Sequence, residues 1–371
     1  DYLEQILPDW TDKNNVKIEI IKPDGNAAEL ILPIPEKIKS PLKTSETKFE
    51  LPSVDRKSFV YNFTGQNKKT AILRIDNMYT YRESFEYDES AGHERRRNLA
   101  RDLYRKYNGK SAPYDFNETL AGIPSATEVF TELVIDMKTN KTENLIIDLR
   151  KNRGGYSFMS DILLYFLYGK EKYLSIKKDV SSYEIKKYSD LFFSNKSNMS
   201  IDNINQGRTL PLKADDYDFR YDYSENRPYS SETGVFNMDS YFQNTPTFYR
   251  EYSSEKHSGY YKPDNIVVIC SPETYSSGFG MMYAQHKAGA LVAGRASSQA
   301  GNGFGDILHF ELKYSKLKGT ISQDYIVHFP EDPVQGKVLQ PDHELTYGKL
   351  KSYNFDPNAE ILFALEVLKI R

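Results

Sequence analysis

Three short runs constrain this chain more than anything else in it: Asn144–Leu149, Asn265–Cys270 and Ala290–Gly294. Each is almost wholly apolar, too short for a buried helix and without polar alternation. That pattern is a strand buried on both faces. Helix-length segments accompany them, Phe158–Tyr168 after the first run and Ser276–Ala288 between the second and third. Short apolar strands separated by helices predict a layered α/β core.

The flanking segments fill in the organisation. Val16–Ile21, the turn Lys22-Pro23-Asp24-Gly25 and Ala28–Pro33 read as strand, turn and strand. Residues 36–54 are polar and contain proline, as a linker does, and a second unit spanning 55–371 opens with strands Ser58–Phe63 and Thr70–Ile75. Tyr79–Tyr114 is dense in charge, with Arg95, Arg96, Arg97, Arg101 and Arg105 expected on a solvated helix face. Ser125-Ala126-Thr127-Glu128 has capping-box spacing and opens a helix to about Lys138. Residues 177–262 are polar, Tyr-rich and weakly periodic, and read as an insertion rather than core. Ile307–Lys313 and Thr320–Phe329 alternate like a hairpin. Asp356-Pro357 caps a last helix with Ile361, Leu362, Leu365 and Leu368 along one face.

Composition removes several function classes. A net charge of −3 over 371 residues gives no case for nucleic acid as a partner. A single cysteine, Cys270, excludes an intrachain disulfide and a multi-cysteine zinc site, and its place at the end of an apolar run predicts a buried thiol. No apolar stretch reaches the length of a membrane-spanning helix. The chain begins at Asp1 without Met or a signal peptide, as a mature or truncated form would.

Two segments could carry chemistry. Leu145–Arg150 empties into Lys151-Asn152-Arg153-Gly154-Gly155, where paired glycines permit positive φ and close backbone approach. Alone, this is a tight strand–helix turn. Ile266–Cys270 leads through Ser271-Pro272-Glu273 to Thr274-Tyr275-Ser276-Ser277-Gly278 at a helix start. A serine there is either a helix cap or a nucleophile whose following N–H can hold an oxyanion.

Together, the segments resemble a known family. Asp148–Gly155 resembles the D-L-R-x-N-x-G-G signature of the tail-specific (C-terminal processing) serine peptidases. Thr274–Gly278 resembles their T-A-S-A-S nucleophile motif, and Pro341-Asp342 their late P-D element. The resemblance covers roughly residues 55–345. It implies a Clp protease/crotonase-like core, with Ser276 as nucleophile and backbone oxyanion donors from Ser277 and from Gly154 or Gly155. Asp148 and Arg150 would orient the turn. It implies a PDZ-like unit ending within residues 1–35, a polypeptide substrate, no metal or organic cofactor, and a periplasmic, surface-anchored or secreted location.

The resemblance breaks at the general base. Many members carry a lysine shortly after the next strand, but Gly294–Gly303 has none, and Arg295 stays protonated. A tricorn-like branch uses a histidine from a segment N-terminal to the core, and the chain is read as nearer that branch. None of His93, His257, His286, His309, His328 and His343 has the right motif around it. The base is therefore expected upstream of Asp1, with Glu331 or Asp332 as candidate orienting acid. The alternatives are a non-catalytic peptide- or lipid-binding relative, as in the retinoid-binding proteins that resemble this fold, and a crotonase-type acyl-CoA enzyme.

Overall fold

The computed structural model describes residues 14–22, 25–33, 59–92, 94–179, 183–196, 199–206, 208, 210–219, 242–254, 261–329 and 332–370. The expected linker at 36–54 lies outside these residues. Strands β1 (Asn15–Ile21) and β2 (Ala27–Pro33) form an antiparallel pair that joins no other strand among the described residues.

The core is a six-stranded sheet. Its strands are β3 (Phe59–Thr64), β4 (Thr70–Ile75), β5 (Asn144–Asp148), β8 (Asn265–Cys270), β9 (Leu291–Gly294) and β12 (His343–Glu344), in spatial order β12-β9-β8-β5-β4-β3. All neighbours pair in parallel except β3 with β4. Register explains the unbroken apolar runs. Ile72, Ile146, Val267 and Leu291 lie in one row, and Leu73, Ile147, Val268 and Val292 in the next. Successive rows face opposite sides. The second row packs with helices α1 (Ala126–Asn140), α2 (Phe158–Asp179) and α3 (Ser277–Lys287); the first packs under the last helix, α4 (Ala359–Ile370). Each fully buried side chain of this kind contributes about 1.5–3 kcal/mol relative to exposure.

Several details depart from the sequence-based expectation. Helix α2 is broken at Gly169 (φ 78°, ψ 167°), one residue past the predicted end. The deepest stripe of α4 is Ile361, Ala364 and Val367; Leu365 and Leu368 flank it, because spacing of three keeps the former row on the sheet. The capping box at Ser125 is not closed by Glu128, whose carboxylate pairs with Arg82. The buried Glu83 instead accepts from Ser125 Oγ at 2.6 Å and from the amides of Ala126 and Thr127 at 3.0 and 2.9 Å. An anion at a helix N-terminus satisfies donors that the helix cannot. Arg96 does not lie on a solvated face. It pairs with the buried Asp88 at 2.8 Å and covers the rings of Phe85, Tyr156 and Tyr79.

The stretch 177–262 divides in two. Strands β6 (Tyr183–Lys187) and β7 (Tyr217–Phe219) extend a second sheet built on the hairpin β10 (Asn302–Glu311) and β11 (Lys318–Val327), in order β10-β11-β6-β7. Phe242, Phe248 and Tyr252 are core, packed as a ring cluster on Tyr165 and Tyr173 of α2. Weak periodicity hid them, because two anchors on the short helix Pro246–Ser253 and one residue before it, Phe242, make no repeat. At the outer edge of β10 the Asn195 side chain donates to His309 O and accepts from His309 N, both at 2.9 Å.

Candidate active site

Parallel strands β5 and β8 are neighbours, so the chain leaves both at the same edge of the sheet, where α/β folds place their sites. The two exit loops are laced together. Thr274 Oγ1 donates to Leu149 O at 2.8 Å, Ser271 Oγ to Arg150 O at 2.6 Å, and Tyr275 N to Asn152 O at 2.9 Å.

Within the β5 loop, Asp148 and Arg150 serve the scaffold. Arg150 pairs with Asp148 and with Glu360 of α4, each at 2.8 Å, and Asp148 also accepts the Arg150 amide. Burial alone would lower the Arg150 pKa, but the two carboxylates raise it above its ordinary value. Asn152 is fully buried. Its Nδ2 donates to Ile75 O at 3.0 Å and its Oδ1 accepts Gly154 N–H at 2.9 Å.

The paired glycines then run past Met78, beyond β4. Met78 N donates to Gly154 O at 2.9 Å, and Tyr156 N to Met78 O at 3.0 Å. Gly154 O thus points toward the β4 side. Trans peptide geometry sends the Gly155 N–H the other way, toward the β8 loop. That N–H has no acceptor among the described residues, whereas Gly154 N–H is engaged by Asn152. Gly154 sits at φ 101°, and a Cβ there would lie 2.7 Å from Ser276 Cβ. Gly155 sits at φ 139°, and a Cβ there would lie 2.5 Å from the Met78 carbonyl carbon.

Ser276 is exposed at φ 53°, ψ −126°, immediately before α3, and its side chain makes no capping bond. The cap reading therefore does not hold for Ser276. A non-glycine residue in such a conformation costs about 1–3 kcal/mol and persists only where its surroundings over-determine it. A strained strand-to-helix turn of this kind lifts a serine Oγ off the sheet and leaves the next amide free at the helix N-terminus. That next residue is Ser277, whose buried hydroxyl donates to Gly155 O at 2.7 Å and meets Ser157 Oγ at 2.9 Å. Ser276, Gly154, Gly155 and Ser277 are thus brought together.

No base joins them among the described residues. His286 lies down α3 with Nδ1 3.4 Å from Asp342, which also accepts Val292 N–H and so pins the start of β9. His328 packs on the rings of Phe279 and Tyr283, His309 lies on the edge strand β10, and His343 lies in β12. His93, His257 and Glu331 lie outside the described residues. Asp332 is exposed and caps the short helix Pro333–Lys337, accepting Val334 N and Gln335 N at 3.0 Å each. In the stretch where the family resemblance implies a lysine, Asn302 clamps residues 328 and 329 through three hydrogen bonds. Gln299, to which the sequence drew no attention, accepts Ser276 N–H through Oε1. Past it lies a cleft of about 390 Å³ lined by Ala300, Asn302, Tyr325, Gly336 and Lys337.

Cys270, at the end of β8, is buried, and its Sγ donates to Arg295 O. Burial pushes its thiol up to about 12, which makes it inert.

Comparison with known proteins adds a family. The model of peptidase family S41 matches residues 114–345, well over half the chain. None of the curated proteins matches. Among solved structures, mature CPAF complexed with lactacystin is 14% identical, with 96% of this chain and 69% of that chain covered and a TM-score of 0.40. A putative S41 protease from Bacteroides fragilis is 10% identical over 96% of this chain and 65% of that one, with a TM-score of 0.37. The photosystem II D1 C-terminal processing protease is 10% identical over 93% and 59%, with a TM-score of 0.33.

Proposed function

The chain belongs to peptidase family S41, and from that premise we propose a serine endopeptidase in which Ser276 attacks the substrate carbonyl. The amides of Ser277 and Gly155 hold the oxyanion. The observation that carries this reading is the backbone of Ser276, strained and exposed, with Gly154 packed against its Cβ. A serine that only capped a helix would need none of these. Two fixed N–H donors supply charge stabilisation where negative charge develops, and losing one such donor costs about 100- to 1,000-fold in rate.

The general base in this reading comes from residues before Asp1; its support is that Gly294–Gly303, where many family members carry the lysine, contains none. The orienting acid is Glu331 or Asp332. The pair β1–β2 is read as the end of a PDZ-like unit, and the enzyme as acting outside the cytoplasm on extended polypeptide.

Fluorophosphonate labelling of the chain extended upstream of Asp1 tests the assignment. Wild type is expected to label and Ser276→Ala is not. Equal labelling of the two removes Ser276 as nucleophile. Retained lipid with no labelling favours the non-catalytic relative. Alanine replacement of each upstream histidine, with His93→Ala and His257→Ala as controls, identifies the base.

A further inference from the structure

Three consecutive residues beyond β9 fold back over the turn that carries Ser276. Ser297 Oγ donates to Thr274 O at 2.5 Å, and Ser298 Oγ donates to Pro272 O at 2.5 Å. Gln299 N donates to Ser297 Oγ at 2.9 Å, and Gln299 Oε1 accepts Ser276 N–H. Alternate backbone groups at 272, 274 and 276 are thus each met by one side chain, from Ser298, Ser297 and Gln299 respectively. Ser297 is buried, so the bracket has a fixed base. The peptide plane between Tyr275 and Ser276 is held at both ends, because Tyr275 O also accepts Gly278 N–H at 2.9 Å. Gly154 closes the inner side of Ser276 and Gln299 the outer side.

We propose that Gln299 is a positioning residue for the nucleophile, a role that rests on the reading of Ser276 given above. Its side-chain carbonyl fixes the orientation of the Ser276 peptide and so maintains the positive φ that exposes Oγ. It also engages the Ser276 amide, so that the oxyanion is received by Ser277 and Gly155 and not by the nucleophile's own N–H. Leucine at 299 has similar size but no acceptor. Glutamate keeps the acceptor and, once ionised, sets a negative charge beside the site of oxyanion formation.

Amide hydrogen exchange and fluorophosphonate labelling, on the same upstream-extended protein, test this. In Q299L the Ser276 amide is expected to exchange about tenfold faster. The Tyr275 amide, bonded to Asn152 O, stays protected and reports an intact fold. In Q299E the Ser276 amide stays protected. Q299L is expected to label at least about tenfold more slowly than wild type. The Q299E-to-wild-type labelling ratio is expected to fall as pH rises through the carboxyl titration. A purely structural glutamine would give no such pH signature. Should Q299L fail to fold, the Q299E ratio decides, and a flat ratio near one overturns the proposal. Wild-type exchange or labelling in folded Q299L overturns it too. Wild-type labelling by Ser276→Ala removes the nucleophile reading instead, whereas a silent Ser276→Ala beside an unimpaired Q299L overturns this proposal alone.

Discussion

The turns that follow β5 and β8 are neighbours with opposite construction. The β5 turn is held from within. Asn152 is fully buried and ties it to β4, while Gly154 and Gly155 let bare backbone lie against Met78 on one side and Ser276 on the other. The β8 turn is held from without, by the side chains of Ser297, Ser298 and Gln299 reaching in from the segment beyond β9. The first has little room for change. The second keeps an exposed, strained serine. A reactive group needs access, so its geometry has to be imposed by neighbours, and the inflexible turn is one of those neighbours.

The contrast is broken most severely at Gly154. Gly154→Ala places a Cβ 2.7 Å from Ser276 Cβ at a φ of 101°. Strain and overpacking together are expected to cost about 2–5 kcal/mol, read from the urea midpoint, and to abolish labelling of Ser276. Retained labelling would mean that the β8 turn can relax away from the β5 turn. Asn152→Ala comes next. It leaves Ile75 O and Gly154 N–H without their partners, for an expected loss of about 2–4 kcal/mol. A loss well under 1 kcal/mol would show that the β5 turn is not secured from within.

The smallest effect lies at the strand ends. β5 ends on Asp148, charged and paired; β8 ends on Cys270, neutral and buried. Burial raises the Cys270 thiol from an ordinary 9.0 to about 12, so the fold favours its protonated form. The stabilisation is complete below pH 9 and is lost as pH rises through about 12. Cys270→Ala should therefore flatten the decline of stability between those limits. The native wild-type thiol should resist a disulfide reagent at pH 8. Rapid reaction there would show that the end of β8 opens.

The sheet was legible because its central strands are buried on both faces, and nothing but an unbroken apolar run satisfies that position. The turn glycines and Ser276 were legible as motifs at strand ends. What stayed hidden is contact between distant loops. Glu83 caps a helix 42 residues away, and Gln299 meets an amide 23 residues away, through side-chain-to-backbone bonds that leave no periodicity. The stretch Gly294–Gly303 draws the eye to a missing lysine; its structural content is the bracket and the Asn302 clamp. Phe242, Phe248 and Tyr252 were hidden differently, as core residues inside a polar, tyrosine-rich segment.

The amide of Asn195, seated on the backbone of His309, has a consequence for how this molecule meets others of its kind. An outermost strand offers unpaired donors and acceptors that template the strand of another chain. Here a side chain imitates that incoming strand at one residue, giving back one donor and one acceptor in the strand's own geometry. The second sheet is stoppered at that point, and growth by strand addition there requires the stopper to be displaced first.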